Sequence, residues 1–173
     1  MMLTAAFLKM AQNNAWANKT LYQAATGLSQ NGLSDPAPGF FPNLGRTLNP
    51  IYEVDLYYLD ALLQRGRGRQ VYEREDTTSL SDLADLQSQS DLRLIGFCKA
   101  LKQSMLDDLR RTERPEGIVE ETVGALLLHL FQHQIHHRGQ AHVQLQTLGV
   151  APPQLDDFYL SHGRAPTAQE YWP

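Results

Sequence analysis

The stretch HLFQHQIHHRGQ (residues 129–140) decides how this chain of 173 residues folds, and it holds four of the six histidines. It lies within residues 122–148, where apolar side chains recur every three or four positions, the period of an amphipathic helix. His133 and His137 occupy two positions at which this pattern calls for leucine. Because they are one helical turn apart, both rings can point at one spot.

Two interpretations of this pair are open. Neutral imidazole is a common metal ligand, and a pair spaced four residues apart is a frequent way for one helix to supply two ligands. Alternatively, the two rings are buried and their nitrogens form hydrogen bonds inside a polar pocket. His129 and His136 lie on a flanking face of the helix, where they would be surface or supporting residues.

Composition narrows the class of protein. The chain is 42% hydrophobic and 20% charged, which is typical of one soluble globular domain. We expect this domain to span residues 1–173, with an irregular tail from about residue 150. The net charge of −4 argues against a nucleic-acid partner, since a phosphate-binding face is basic.

The cellular location is predicted from signals that the sequence does not contain. No apolar run reaches the length of a membrane span, and no signal peptide is recognisable at the N-terminus. Cys98 is the single cysteine, so an intrachain disulfide is excluded. It lies in a helical pattern and is expected to be a buried structural thiol. These features favour a cytoplasmic protein without a membrane partner.

The first half of the chain predicts two helices. Apolar residues follow a helical period from residue 3 to residue 28, with Trp16 beside the stripe, where it would seal the bundle or a dimer contact. A loop rich in Gly, Pro and Asn follows at residues 31–43. Phe40 and Phe41 in this loop are expected to lie against the core, because exposing both would be costly.

The second helix has two candidate starts. Residues 49–50, Asn-Pro, suit an N-cap and a first helical residue, or the helix begins near Gly45 and contains Pro50. A short extended crossover is predicted at residues 71–78, then a third helix over residues 79–111 and a turn at residues 112–117. Four amphipathic helices with one long crossover after the second predict an all-α four-helix bundle.

Several motifs in order resemble the DinB/YfiT-like superfamily. They are NAWAN at 14–18, FFPNLGRTLN at 40–49 with Asp55, HQIHHRGQ at 133–140 and LGVAPP at 148–153. The resemblance covers about residues 7–160. It implies an up-down-down-up bundle that forms a homodimer and binds a divalent metal, nickel or zinc, through three histidines.

The resemblance assigns two of these ligands to His133 and His137. The third histidine of the family follows the Thr-Leu-Asn of the second helix, and in this chain Pro50 stands there. Glu53, three residues later, would offer a carboxylate from the same helix face. Asp55 is expected to orient an imidazole or another polar group. Arg138 points about a hundred degrees away from the pair, which predicts a structural or dimer-facing role, paired with a carboxylate.

Two functions follow from the resemblance. The first is a metal-dependent thiol S-transferase or hydrolase-like enzyme that uses a low-molecular-weight thiol, such as bacillithiol, mycothiol or glutathione, or another small molecule. In it His133 and His137 would hold the metal, and Glu53 would be a substitute ligand or a base. The second is a non-catalytic, dimeric, stress-associated binding bundle that has lost its third ligand, which Pro50 favours.

Overall fold

A computed structural model describes residues 3–172 as a bundle of four long helices with one small hairpin. The helices are α1 (Leu3–Ala25), α2 (Leu44–Leu62), α3 (Leu80–Ala100) and α4 (Val123–Thr147). The strands β1 (Leu109–Arg114) and β2 (Gly117–Thr122) pair antiparallel between α3 and α4. Short 3-10 helices lie at Gly68–Glu73, Gln103–Met105 and Pro166–Glu170. The prediction of an all-α bundle is confirmed, and the hairpin is an addition to it.

Two apolar clusters, one at each end of the bundle, give the helix directions. Each helix contributes to both clusters. The first cluster contains, among others, one residue from each of α1, α2, α3 and α4, in that order: Phe7, Leu59, Leu94 and Leu127. The other is represented in the same order by Leu21, Leu48, Leu83 and Leu145. The first cluster therefore joins the start of α1 and α4 to the end of α2 and α3, and the second joins the opposite halves. This is the predicted up-down-down-up arrangement.

The packing order places two helix pairs on opposite faces. α1 packs against α3 and α4, and α2 packs against α4 and α3. The α1–α3 face is therefore on the far side of the bundle from the α2–α4 face. None of the helices in residues 3–172 combines the length and apolar character needed to span a bilayer.

The start of α2 is set by Asn43. Its Oδ1 accepts a hydrogen bond of 2.9 Å from the backbone N–H of Arg46, which makes it the N-cap. The alternative start at residues 49–50 is wrong, and Pro50 lies inside the helix. Proline has no backbone N–H, so α2 lacks one intrahelical hydrogen bond at the position that the family resemblance assigns to a histidine.

The predicted third helix is too long, and the turn after it is part of a hairpin. α3 ends at Ala100 instead of residue 111, and residues 109–122 form β1 and β2. Leu101 and Leu109 are spaced as on one face of a helix, but cross-strand pairing decides the structure. Arg110 faces Glu121 and Arg111 faces Glu120, so opposite charges stabilise the register. Residues 71–73, predicted to be extended, belong instead to a 3-10 helix.

The tail lies against α1. The indole Nε1 of Trp16 donates a hydrogen bond of 2.9 Å to Thr167 Oγ1, and its ring centroid is 5.6 Å from that of Phe158. Trp16 therefore seals a contact inside the chain. Cys98 is buried, as predicted. Phe40 contradicts its prediction, because 75% of its surface is exposed, while Phe41 is half-buried.

Candidate metal centre

Two contacts fix the register of α2 against α4. At one end of this face, Thr47 Oγ1 donates a hydrogen bond of 2.6 Å to Gln144 Oε1. At the other end, the Tyr58 ring lies 5.0 Å from the His129 ring, centroid to centroid. From the first contact to the second, residue numbers rise along α2 and fall along α4, so the two helices are antiparallel. Residues 50–53 of α2 therefore lie between the two contacts, beside the turn of α4 that carries the histidine pair.

The two predicted ligands lie together. The ring centroids of His133 and His137 are 4.3 Å apart, with an angle of 64° between the ring planes. His137 is buried, and the Nδ1 atom of His133 is buried without a hydrogen-bond partner in the described part of the chain, residues 3–172. His129 and His136 are exposed and flank the pair, with ring centroids 6.2 Å from His133 and 5.0 Å from His137 respectively.

Burial keeps the pair neutral. Desolvation, together with the charge of neighbouring His137, lowers the pKa of His133 to about 4. Desolvation also lowers the pKa of His137, although its hydrogen bond to Gln140 opposes this change. Neutral imidazole is the form that binds a metal, so both rings are in the ligand form at pH 7.

Gln140 orients His137. The Nδ1 atom of His137 is 2.8 Å from Gln140 Oε1, and the Nε2 atom of Gln140 is 3.0 Å from His136 Nε2. With the amide in this orientation, its oxygen accepts from His137 Nδ1–H and its nitrogen donates to His136. The lone pair of His137 then resides on Nε2. Such a bond to the distal nitrogen is typical of metal-binding histidines.

The third ligand position has no protein donor. Pro50 offers none, and Glu53 forms an ion pair with Arg74, with Oε1 and Nη1 3.4 Å apart. Across residues 3–172, no group of three His, Cys, Asp or Glu side chains is placed to hold a metal ion. The donors present fit two ligands of a metal site and do not complete a three-histidine site.

Aromatic rings cover His137 from the loop before α2. The ring centroids of Phe40 and Phe41 lie 6.4 Å and 5.8 Å from that of His137. Gln144 Nε2 holds this loop by donating hydrogen bonds of 2.9 Å and 3.1 Å to the carbonyl oxygens of Ala37 and Phe41. The exposed Phe40 is therefore an apolar rim beside the histidine pair, and not a core residue.

Behind the pair, the bundle interior is polar. Asp55 Oδ2 accepts hydrogen bonds from Gln134 Nε2 and, at 2.7 Å, from Gln87 Nε2. Asp55 was expected to orient either an imidazole or another polar group. It orients a polar group, the side-chain amide of Gln134. Gln134 follows His133 directly in α4, so the network helps to hold the turn that carries the pair.

A second buried carboxylate completes this network. Asp91 accepts hydrogen bonds from the Nδ2 atoms of Asn14 and Asn18, both at 3.0 Å, and from Gln87 Nε2 at 3.2 Å. Arg138 Nη1 donates to the Oδ1 atoms of both asparagines and to Gln134 Oε1. We call these seven residues the polar network: Asn14, Asn18, Asp55, Gln87, Asp91, Gln134 and Arg138.

Of the two roles predicted for Arg138, the structure supports the structural one and not the dimer-facing one, because only 4% of its surface is exposed. The predicted pairing with a carboxylate is indirect, since Arg138 donates to side-chain amides that in turn bond Asp91 and Asp55. Sequence reasoning missed Gln87 and Asp91 altogether. A signal was present, since polar residues four apart interrupt the apolar stripes of three helices, at 14/18, 87/91 and 134/138.

The network predicts a pH-dependent stability. Burial, together with the nearby charge of Asp55, raises the pKa of Asp91 from its ordinary 3.8 to about 7. The folded state therefore keeps a proton that the unfolded state has lost, and this contribution to stability disappears as pH rises from about 4 to about 7. Asp91→Asn removes it, so the variant gains stability relative to the wild type over this range.

Urea unfolding of both proteins at several pH values between 5 and 7.5 measures this difference. Asp85→Asn, an exposed carboxylate one and a half turns earlier on α3, is the matched control. The prediction is wrong if the stability difference between Asp91→Asn and wild type does not change with pH.

Known proteins resemble this chain over most of its length. The sequence model of the DinB family matches residues 2–168. Protein DinB of Bacillus subtilis is 23% identical over 154 residues, which cover 86% of this chain and 89% of that protein.

Two solved structures share the fold. The crystal structure of a DinB-like protein from Bacillus cereus aligns with a TM-score of 0.63 and 19% identity, covering 80% of this chain and 90% of that one. A DinB-like protein from Bacillus subtilis aligns with a TM-score of 0.61 and 16% identity, covering 84% and 96%. The bundle, its helix order and the family match over nearly the whole sequence agree: this chain belongs to the DinB family.

Proposed function

We propose that this protein binds a divalent metal, nickel or zinc, through His133 and His137, and uses it in a thiol S-transferase or hydrolase-like reaction. The proposal rests chiefly on one observation, two neutral imidazoles whose centroids are 4.3 Å apart beside an aromatic rim. A metal held there would supply Lewis acidity, lowering the pKa of a thiol or of water so that a nucleophile exists at neutral pH.

The surrounding residues would position a small substrate. Gln140 fixes the tautomer of His137, and the rim of Phe40 and Phe41 offers apolar contact and excludes water from one side of the pair. Glu53 remains the candidate base or additional ligand on α2, provided that its ion pair with Arg74 opens. With two protein ligands, other positions on the metal stay open for substrate.

A second candidate function is a non-catalytic binding bundle. Pro50 favours it, since two histidines hold a metal more weakly than three. In this case His133 and His137 line a polar pocket whose aromatic rim binds a small molecule directly. The two functions differ in whether the pair carries a metal.

Metal analysis separates these functions. Protein purified without a histidine tag is expected to bind nickel or zinc, and excess metal should raise its melting temperature by mass action. His133→Ala should abolish most of this rise, whereas the control His162→Ala, an exposed tail histidine, should keep it. If the untagged wild type neither binds these metals nor gains stability from them, the metal-dependent function is excluded and the binding bundle is favoured.

We also propose that two copies associate through α4. Its outer face carries the exposed residues Leu128, Ile135 and Val143, and Arg138, the one charged residue of α4, is buried. An apolar stripe without charge suits a self-complementary contact, since no like charges meet. Sedimentation should show a dimer that Ile135→Asp converts to a monomer, with the exposed tail variant Leu160→Asp as control. A monomeric wild type would contradict this interface.

A further inference from the structure

A cleft lies between α1 and α3, on the face of the bundle opposite the histidine pair. Its volume is about 610 Å³, within the usual range of small-molecule sites. Leu80, Ala84 and Leu92 of α3 supply apolar wall, and Ala15 of α1 adds to it. The histidine pair does not line it, so the cleft is separate from the proposed metal centre.

Polar atoms without partners lie along this cleft. Tyr22 and Gln87 line it, although only 5% and 1% of their surfaces are exposed. Tyr22 OH and Gln87 Oε1 are buried and have no hydrogen-bond partner among residues 3–172. A buried polar atom without a partner costs stability, and nearly all such atoms in folded proteins are paired. A ligand bound in the cleft would supply a partner for these atoms.

The cleft is rich in acceptors and in negative charge. Asp91 and Asn18 line it beside Gln87, and Asp85 adds an exposed carboxylate at the rim. The only lining cation is Lys19, which is bound to Glu170 at 2.8 Å. Within the polar network behind this wall, Arg138 is one positive charge near two carboxylates, Asp55 and Asp91. A ligand that matches these groups donates hydrogen bonds and is positively charged.

We propose that the α1–α3 cleft binds a small organic cation, with a protonated amine directed at Tyr22, Gln87 and Asp91 and an apolar body along the α3 wall. The ammonium group has three donors and no acceptor, which suits an acceptor-rich floor. Its hydrocarbon part would cover the exposed Leu92. This site is independent of the metal-dependent function.

The test compares 2-phenylethylamine with 2-phenylethanol, which has nearly the same shape without the charge. The titration is run at pH 8, where the amine is protonated and Asp91, whose pKa burial raises to about 7, is ionised. Titration followed by amide NMR shifts should place the amine on α1 and α3, with an affinity at least about tenfold higher than that of the alcohol. His133→Ala should bind the amine equally, which excludes coordination to a metal. Equal affinity for the two probes, or shifts confined to α2 and α4, would overturn the proposal.

One pair of variants and one single variant test the location. Ser88→Trp fills the cleft and should abolish binding, whereas Gln89→Trp, on the neighbouring exposed position of α3, should not. Tyr22→Phe removes a buried hydroxyl without a partner among residues 3–172, so it should raise the free energy of unfolding slightly while it weakens amine binding about fivefold. If Ser88→Trp binds the amine like the wild type, the cleft is not the site.

Discussion

Arg138→Met is expected to lower the free energy of unfolding by about 3–5 kcal/mol, the largest effect of any single substitution proposed for this protein. Methionine keeps the volume of the side chain and removes its charge and its donors. The Oδ1 atoms of Asn14 and Asn18 and the Oε1 atom of Gln134 then lose their donor inside the bundle. The two buried carboxylates also lose their nearest positive charge.

Chemical denaturation measures this loss, and Arg93→Met is the matched control. Arg93 is exposed on α3, so its replacement should change the free energy of unfolding by less than about 0.5 kcal/mol. Adding Asp91→Asn to Arg138→Met should recover part of the loss, because one uncompensated carboxylate is removed. A loss below about 1 kcal/mol for Arg138→Met would contradict a network that depends on this guanidinium.

Pro50→His is expected to tighten zinc or nickel binding on the order of a hundredfold. Structural zinc sites with four ligands gain about 10–16 kcal/mol, so each ligand contributes several kcal/mol. The register of α2 against α4 places residue 50 beside the histidine pair. A histidine there would restore the third ligand that the family resemblance assigns to this position.

The control Pro50→Ala separates the effect of a new metal ligand from the effect of removing proline from the helix. Both variants restore a backbone N–H inside α2, which is worth up to about 3 kcal/mol in a helix interior, so both should be stabilised without metal. Only Pro50→His should gain affinity, measured by titration calorimetry above pH about 6.5, where free imidazole is deprotonated. Equal metal affinity of the two variants would show that residue 50 does not face the pair.

The sequence predicted the parts of the site that lie within one helix. His133 and His137 are one turn apart, so the period of α4 alone brings their rings together. The order of the helices in the bundle followed from the family resemblance, and the two apolar clusters agree with it. Local spacing and a family pattern were sufficient for both.

The parts that sequence reasoning missed depend on residues far apart in the chain. Asp91 meets Asn14 across 77 positions, and no local pattern states which polar residues will face each other. The first residues of the hairpin, 109–111, were predicted as helix because Leu101 and Leu109 fit a helical period, and pairing between the strands decided the outcome. Phe40 was expected in the core on hydrophobicity alone, yet it lies exposed beside His137.

Crystals soaked in zinc show whether the two rings of α4 hold a metal ion together. Anomalous scattering at the zinc edge should reveal one ion with the Nε2 atoms of His133 and His137 both at about 2.0–2.1 Å, next to the segment of α2 that carries Pro50. An ion bound elsewhere, or a pair that stays free of metal at saturating zinc, would contradict the account.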